Sequence, residues 1–173
     1  MGLKSLYKER FKAYAQEEVL GLRHYNNNED YPFLMEFCLK NHIKFKNDPN
    51  CDSFKFLLPH IDVRKNGVGC YSRVLFLNNK KIGFVIYLHK EKENIVEIAY
   101  MGIDEKFQNK KYGSSLYQFL ESNFKQSGVK KIILEVAAES DALRFYERLG
   151  YKKRSLSWCY IDGHRKTDFY GME

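Results

Sequence analysis

Long apolar runs are missing from this sequence. Stretches such as Ile132–Leu134 and Val136–Ala138 fall far short of the roughly 20 residues that a membrane-spanning helix needs, so a soluble protein is expected. Clustered cysteine is missing too. Cys38, Cys51, Cys70 and Cys159 stand far apart without the spacing that closes a metal site, and neither zinc nor another metal is expected. The five histidines (His24, His42, His60, His89 and His164) show no ligand spacing either. No secretion signal opens the chain, because Lys4, Lys8, Glu9 and Arg10 interrupt Leu3, Leu6 and Tyr7; a reducing cytoplasm is the expected compartment. Basic residues come in ones, twos and threes with no long run, which disfavours a nucleic-acid partner. Nucleotide signatures are absent as well. No Gly-Lys-Ser/Thr follows a second glycine, and Gly67-Val68-Gly69 is not placed between a strand and a helix, so ATP and NAD are disfavoured.

What is present favours one folded unit. The 173 residues are 44% hydrophobic and 29% charged, a size and balance that suit a single domain over residues 1–173. Aromatics make up 16%, with 13 Phe and 13 Tyr, and that much ring area is hard to leave solvated in a disordered chain. Lys and Arg exceed Asp and Glu by 29 to 22, giving a formal charge of +7 that suits an anionic partner.

The hydrophobic period places the elements. Leu3, Leu6, Tyr7, Phe11 and Tyr14 predict an amphipathic N-terminal helix over about residues 2–18, read as part of the core or as a peripheral extension. A short strand follows around Val19–Tyr25, then a helix carrying Phe33, Leu34, Phe37, Cys38 and Leu39, and a short helix at Ser53–Leu58. From Tyr71 the period changes. Tyr71–Leu77 and Ile82–Leu88 form an antiparallel hairpin, and Ile95–Ile103 is a third strand. A helix over about Tyr112–Gln126 stops at Gly128, and the apolar strand Lys131–Ala137 completes a β-α-β unit with parallel strands. Ala142, Phe145, Tyr146 and Leu149 share the face of a last short helix that Gly150 ends. A final hairpin turns at Asp162-Gly163.

The junction from Ile103 to Leu116 is the richest in chemistry. A strand enters a lysine-bearing loop that turns straight into a helix, whose first N–H groups lack intrahelical acceptors and carry the positive end of the macrodipole. An anion such as a pyrophosphate would suit it. A plain β-α connection, with Gly113 merely easing packing, stays open on spacing alone.

The phrase Gln108-Asn109-Lys110-Lys111-Tyr112-Gly113 resembles the Arg/Gln-x-x-Gly-x-Gly/Ala loop of the GNAT superfamily of N-acetyltransferases, with Lys111 in place of the first Gly. A second phrase of that superfamily, Ala-x-x-Phe-Tyr-x-x-x-Gly-Phe/Tyr, stands here as Ala142, Phe145-Tyr146 and Gly150-Tyr151. The resemblance covers about residues 71–171. It implies an α/β fold with a mixed, mostly antiparallel central sheet, a splayed parallel strand pair and helices on both faces. It also implies acetyl-coenzyme A as co-substrate, its pantetheine arm lying as an extra strand against Met101, Gly102 and Ile103. The pyrophosphate would meet the loop and helix start at Gln108, Asn109, Lys110, Lys111, Tyr112, Gly113 and Ser114, with Lys106, Lys110 and Lys111 supplying positive charge. Glu139 falls where many relatives have an Asn that touches the arm; it also reads as a helix cap with Ser140.

A protonated amine cannot attack a thioester, so a base is required. Glu97 is the acid within the third strand, flanked by Val96 and Ile98, and it precedes Gln108 by eleven residues, the spacing of the catalytic Glu in the histone-acetylating branch of the superfamily. A solvent-facing position at a strand edge is its other reading. Tyr146 matches the position from which many members reach the coenzyme sulfur with a phenol; a core aromatic is its other reading. Trp158 suits either an acceptor pocket or strand packing. The expected function is acetyl transfer from acetyl-coenzyme A to a primary amine by direct attack, with Glu97 as base and Tyr146 as acid. A small amine and a protein lysine or N-terminus both stay open as acceptor, as does a homodimer, and a coenzyme A-binding regulatory module without catalysis is the alternative.

Overall fold

The protein is described here from a computed structural model, which covers residues 9–12, 18–44, 64–138, 140–161 and 164–173. Turn chemistry sets the first half of the sheet. Asn78 and Asn79 both take positive φ (48° and 65°), the backbone that a two-residue hairpin requires, and they join β4 (Val68–Leu77) to β5 (Lys80–Lys90). Asn66 and Gly67 (φ 53° and 79°) do the same between the short β3 (Arg64–Lys65) and β4. β6 (Ile95–Ile103) then runs antiparallel to β5.

The remaining elements build outward from this meander. β1 (Glu9–Lys12) and β2 (Val19–His24) pair on the far side of β4, and α1 (Asn27–Lys44) crosses one face. After β6 come α2 (Tyr112–Gln126), β7 (Lys131–Ala137), α3 (Ala142–Arg148), β8 (Lys153–Ile161) and β9 (His164–Met172). The sheet order is β1-β2-β4-β5-β6-β7-β9-β8, with β3 on β4. Every pairing is antiparallel except β6 with β7, so the sheet is mixed and mostly antiparallel.

Alternating side chains divide the core between two faces. Leu34, with Phe33 and Phe37, brings α1 onto Val74, Phe76, Phe84 and Ile86. On the other face α2 contributes Tyr112, Leu116, Tyr117, Leu120 and Phe124, and α3 contributes Phe145 and Tyr146, over Val85, Tyr87, Val96, Ile98 and Val136. Helices therefore cover both faces.

The segment Glu9–Lys12 corrects the expected N-terminal helix over residues 2–18. It is a strand, with Phe11 opposite Leu20 and Glu9 opposite Leu22. Helical spacing read from a handful of apolar residues yields here to the hydrogen bonds offered by the edge of β2. The rest of that helix, the helix expected at Ser53–Leu58, Glu139 and the turn at Asp162-Gly163 lie outside the described residues.

One buried carboxylate ties α1 to the sheet. Asp30 is fully buried and accepts from Arg23 at 2.7 and 2.9 Å and from the backbone N–H of Asn26 at 2.7 Å, while the Lys81 ammonium lies 2.8 Å away. Burial alone would raise its pKa, but the hydrogen bonds from Arg23, Lys81 and Asn26 outweigh it and hold the carboxyl below its ordinary value. A depressed folded-state pKa contributes stability that is present above the unfolded value of about 3.9 and disappears as the pH falls through the folded one. Replacing Asp30 with Asn should therefore destabilise the protein by roughly 2–4 kcal/mol at pH 7. It should also flatten the loss of stability below about pH 4 that wild type shows in acid denaturation.

Candidate active site

The parallel ladder between β6 and β7 is short. Ile95, Val96, Glu97 and Ile98 pair with Lys131, Ile132, Ile133 and Leu134, and there the ladder stops. From Leu134 onward β7 pairs with β9 instead. The cause lies on the other side of β6. Ile98 faces Tyr87 and Tyr100 faces Ile86, so Ala99 is an extra residue without a partner in β5, and the bulge bends β6 just where β7 leaves it. Past the bulge, Met101, Gly102 and Ile103 keep their pairing with Val85, Phe84 and Gly83 but run beside no strand of the described residues on the β7 side.

Three elements converge at the open end. A Cβ placed on Gly113 would touch Ile103 of β6 at 3.6 Å and the Phe145 ring of α3 at 3.7 Å, so the start of α2 sits against both. Those are ordinary van der Waals distances. The protein's own packing does not demand glycine at Gly113, and neither does its backbone, since its φ lies outside the left-handed region. From the opposite face α1 lays Phe37 over Gly102, where a Cβ would come within 2.4 Å of the ring. That glycine is required by close approach.

The loop is built to leave N–H groups unspent. Asp104 accepts from the Lys106 N–H at 3.0 Å and opens one turn of 3₁₀ helix (Glu105–Phe107), and Gln108 reaches back with its side-chain amide to the Ile103 carbonyl at 2.8 Å. Asn109 and Lys111 both take positive φ (61° and 63°). Lys111 is the N-cap of α2 yet makes no capping hydrogen bond with its side chain, and the first intrahelical bond runs from the Ser115 N–H to its carbonyl. The N–H groups of Tyr112, Gly113 and Ser114 precede that bond and are left to an external acceptor.

Side chains around the loop divide by role. The Tyr112 ring is buried in the core and its hydroxyl donates to Glu18; burial and that carboxylate push its pKa up to about 12, so only its backbone faces outward. Lys110 and Lys80 place their ammonium groups 5.8 and 5.1 Å from the Phe107 ring centroid. Lys80 enters from the β4–β5 hairpin, a neighbour that no local sequence signal could reveal.

Tyr146 and Glu97 lie on opposite faces of the sheet. Tyr146 is buried on the α2–α3 face between the rings of Phe145 and Tyr151, and no described residue hydrogen-bonds its hydroxyl. Burial, with Tyr117 nearby, pushes its pKa well above that of an ordinary phenol, so it stays protonated across the physiological range. Glu97 alternates with Val96 and Ile98, whose side chains enter the α2–α3 face, and so points to the α1 side. It stands two residues before the bulge, in the closed half of the ladder, with its carboxylate 2.9 Å from the Lys90 ammonium; each side chain is 33% exposed. Among the described residues no group of three His, Cys, Asp or Glu is placed to hold a metal, and no helix is long and apolar enough to cross a membrane.

Comparison with known proteins agrees with this geometry. The model of the acetyltransferase (GNAT) family matches residues 31–151. No curated protein sequence matches the chain. Solved structures with the same fold include spermidine N-acetyltransferase from Vibrio cholerae in complex with CoA and spermine. That protein is 22% identical with a TM-score of 0.65, over 88% of this chain and 93% of the other. A GNAT family acetyltransferase from Elizabethkingia anophelis with acetyl-CoA bound is 17% identical with a TM-score of 0.62, over 88% and 95%. The ribosomal-protein-S18-alanine N-acetyltransferase from Escherichia coli is 19% identical with a TM-score of 0.61, over 88% and 91%.

The left-handed backbone at Lys111 (φ 63°, ψ 7°) gives the glycine of the loop phrase its physical reason, and lysine holds that conformation under strain. Replacing Lys111 with Gly should stabilise the protein by about 0.5–1 kcal/mol, because relief of that strain exceeds the added entropy of the unfolded chain. Thermal melts of the two proteins measure the difference, and a lower midpoint for the variant would contradict it.

Proposed function

The chain belongs to the acetyltransferase (GNAT) family, and from that premise we propose that it moves an acetyl group from acetyl-coenzyme A to a primary amine by direct attack. The observation that carries this reading is the open end of the β6–β7 pair, where unpaired strand backbone runs up to the uncapped start of α2. The backbone of Met101, Gly102 and Ile103 is where an amide-bearing arm can bind as an added strand. A pyrophosphate then falls at the N–H groups of Tyr112, Gly113 and Ser114, with Asn109, Lys110 and Lys111 around it and Gln108 bracing the loop. Lys80 joins Lys110 in neutralising the nucleotide's phosphates. Glu139 is assigned to the arm on the family resemblance alone.

The two faces divide the proton transfers. An alkylammonium with a pKa of about 10 must shed a proton before it attacks. Glu97, on the α1 face two residues before the bulge that opens the pair, takes that proton directly or through water. Tyr146, protonated and buried on the other side, donates to the departing thiolate as the C–S bond breaks. No covalent intermediate with the protein is needed. The acceptor stays unassigned between a small amine and a protein amine. Among the proteins of this fold one is named for spermidine and another for an alanine of a ribosomal protein, so the fold itself does not choose. The ion pair of Glu97 with Lys90 favours one second reading, a coenzyme A-binding module without turnover, in which that carboxylate is only a surface partner.

Turnover separates these readings. Saturating acetyl-coenzyme A should raise the melting temperature under both. Thiol release on adding a panel of primary amines then shows turnover; its absence with every amine selects the module. With an active amine in hand, Tyr146→Phe and Glu97→Gln should each lower kcat by about 10²-fold.

A further inference from the structure

The hydroxyls of Tyr117 and Tyr151 are hydrogen-bonded to each other at 2.9 Å inside the core, between residues 34 positions apart. Nothing in the acetyl-transfer chemistry above uses them. Their rings meet edge to face at 5.8 Å, and the Tyr151 ring meets that of Tyr146 edge to face at 5.7 Å. Phe145 closes on Tyr146 at 5.1 Å, so two rings fix the torsions of the phenol while leaving its hydroxyl unengaged by described residues.

The backbone explains why Tyr151 is in place. α3 is capped by Leu149, Gly150 takes φ 96°, the Gly150 N–H bonds the Glu147 carbonyl at 3.0 Å and the Tyr151 N–H bonds the Tyr146 carbonyl at 3.1 Å. This is a Schellman cap, and it places the residue after the glycine against the residue five positions before it. Tyr151 is therefore held at its backbone by the residue whose ring it supports. Its own ring is fixed from outside by Tyr117, which rides on α2 just beyond the N–H groups assigned to the pyrophosphate.

We propose that Tyr117 and Tyr151 are positioning residues for Tyr146, a two-hydroxyl strut that references the phenol facing the coenzyme sulfur to the same helix that seats the coenzyme's phosphates. The inference rests on the assignment of Tyr146 as the acid. Both ends of the pantetheine chain are then measured from α2, so a shift of that helix carries the phosphate site and the acid together. Removing either hydroxyl frees the Tyr151 ring to rock, and the phenol loses its aim without losing its proton.

A test that needs no acceptor is the titration of coenzyme A bound to the full-length protein. The thiolate absorbance is read against the same complex made with desulfo-coenzyme A, with affinity measured by calorimetry. A phenol aimed at sulfur lowers the thiol pKa, and Tyr146→Phe should raise it by about one unit, the effect of one hydrogen bond to a charged atom. Tyr117→Phe and Tyr151→Phe should each raise it by part of that amount, with the dissociation constant for coenzyme A changed less than twofold. The double variant should match the singles, because both remove the same bond. If Tyr146→Phe shifts the thiol and the other two do not, the strut is refuted and the acid assignment stands. If Tyr146→Phe leaves the thiol unmoved, or coenzyme A does not bind, the acid assignment falls and the strut with it. A fall in melting temperature with an unmoved thiol refutes the strut by showing the pair to be structural only.

Discussion

One unpaired residue shapes the centre of this protein. Ala99 has no partner in β5, and the ladder that joins β6 to β7 ends beside it. Backbone N–H and C=O groups buried away from water need partners, and a sheet that opens in its middle creates a row of them. Two ways of closing such a gap are usual: a further strand, or water and side chains. Here Gln108 takes the Ile103 carbonyl and Asp104 donates its N–H to the Ile82 carbonyl, so the corner is sealed while the edge before it stays available. The opening persists because each wall is held by something else. β7 is committed to β9, β6 to β5, and Phe37 presses on Gly102 from the α1 face.

The charge of the protein takes on meaning only against that frame. Lysines dispersed along the chain look like ordinary solvated positions, and some are: Lys40 pairs with Glu36, and Lys125 with Glu121, one helical turn apart. Lys80 and Lys110 are different. They come from a hairpin and from a loop, and both ammonium groups approach the Phe107 ring in the segment that leads to the start of α2.

Local signals carried far in the sequence, and non-local ones did not. The hairpin at Asn78-Asn79, the stops at Gly128 and Gly150, and the two phrases at Gln108–Gly113 and Ala142–Tyr151 are all short-range, and each stands where the spacing put it. The opening of the β6–β7 pair follows from the family resemblance and not from any residue, since Ala99 has nothing to mark it as a bulge. The ion partner of Glu97 is Lys90, across a turn whose register must be known before the pair can be seen. Phe37 over Gly102, Lys80 over Phe107 and the hydroxyl pair of Tyr117 and Tyr151 each join separate elements, which composition and period do not address. At Glu9–Lys12 the two kinds of information conflict, and a free strand edge prevails over helical spacing.

The helix stops illustrate how a local rule acquires a chemical use. At the end of α2, Gly128 turns at φ 82°, the Val129 N–H bonds the Phe124 carbonyl at 2.9 Å, and both residues belong to the core. At the end of α3 the same cap sets Tyr151 against Tyr146. The geometry is common to both because a left-handed residue after a helix returns the chain over its last turn, whatever side chains are carried there. What differs is only which residue the chain returns to. Where it is Phe124 the contact adds apolar burial; where it is Tyr146 it fixes the ring of a buried phenol. Across the turn at Gly150, the Tyr151 N–H is thus bonded to the carbonyl of the tyrosine five positions earlier, and the phrase reads as one structural unit and not as two separate marks.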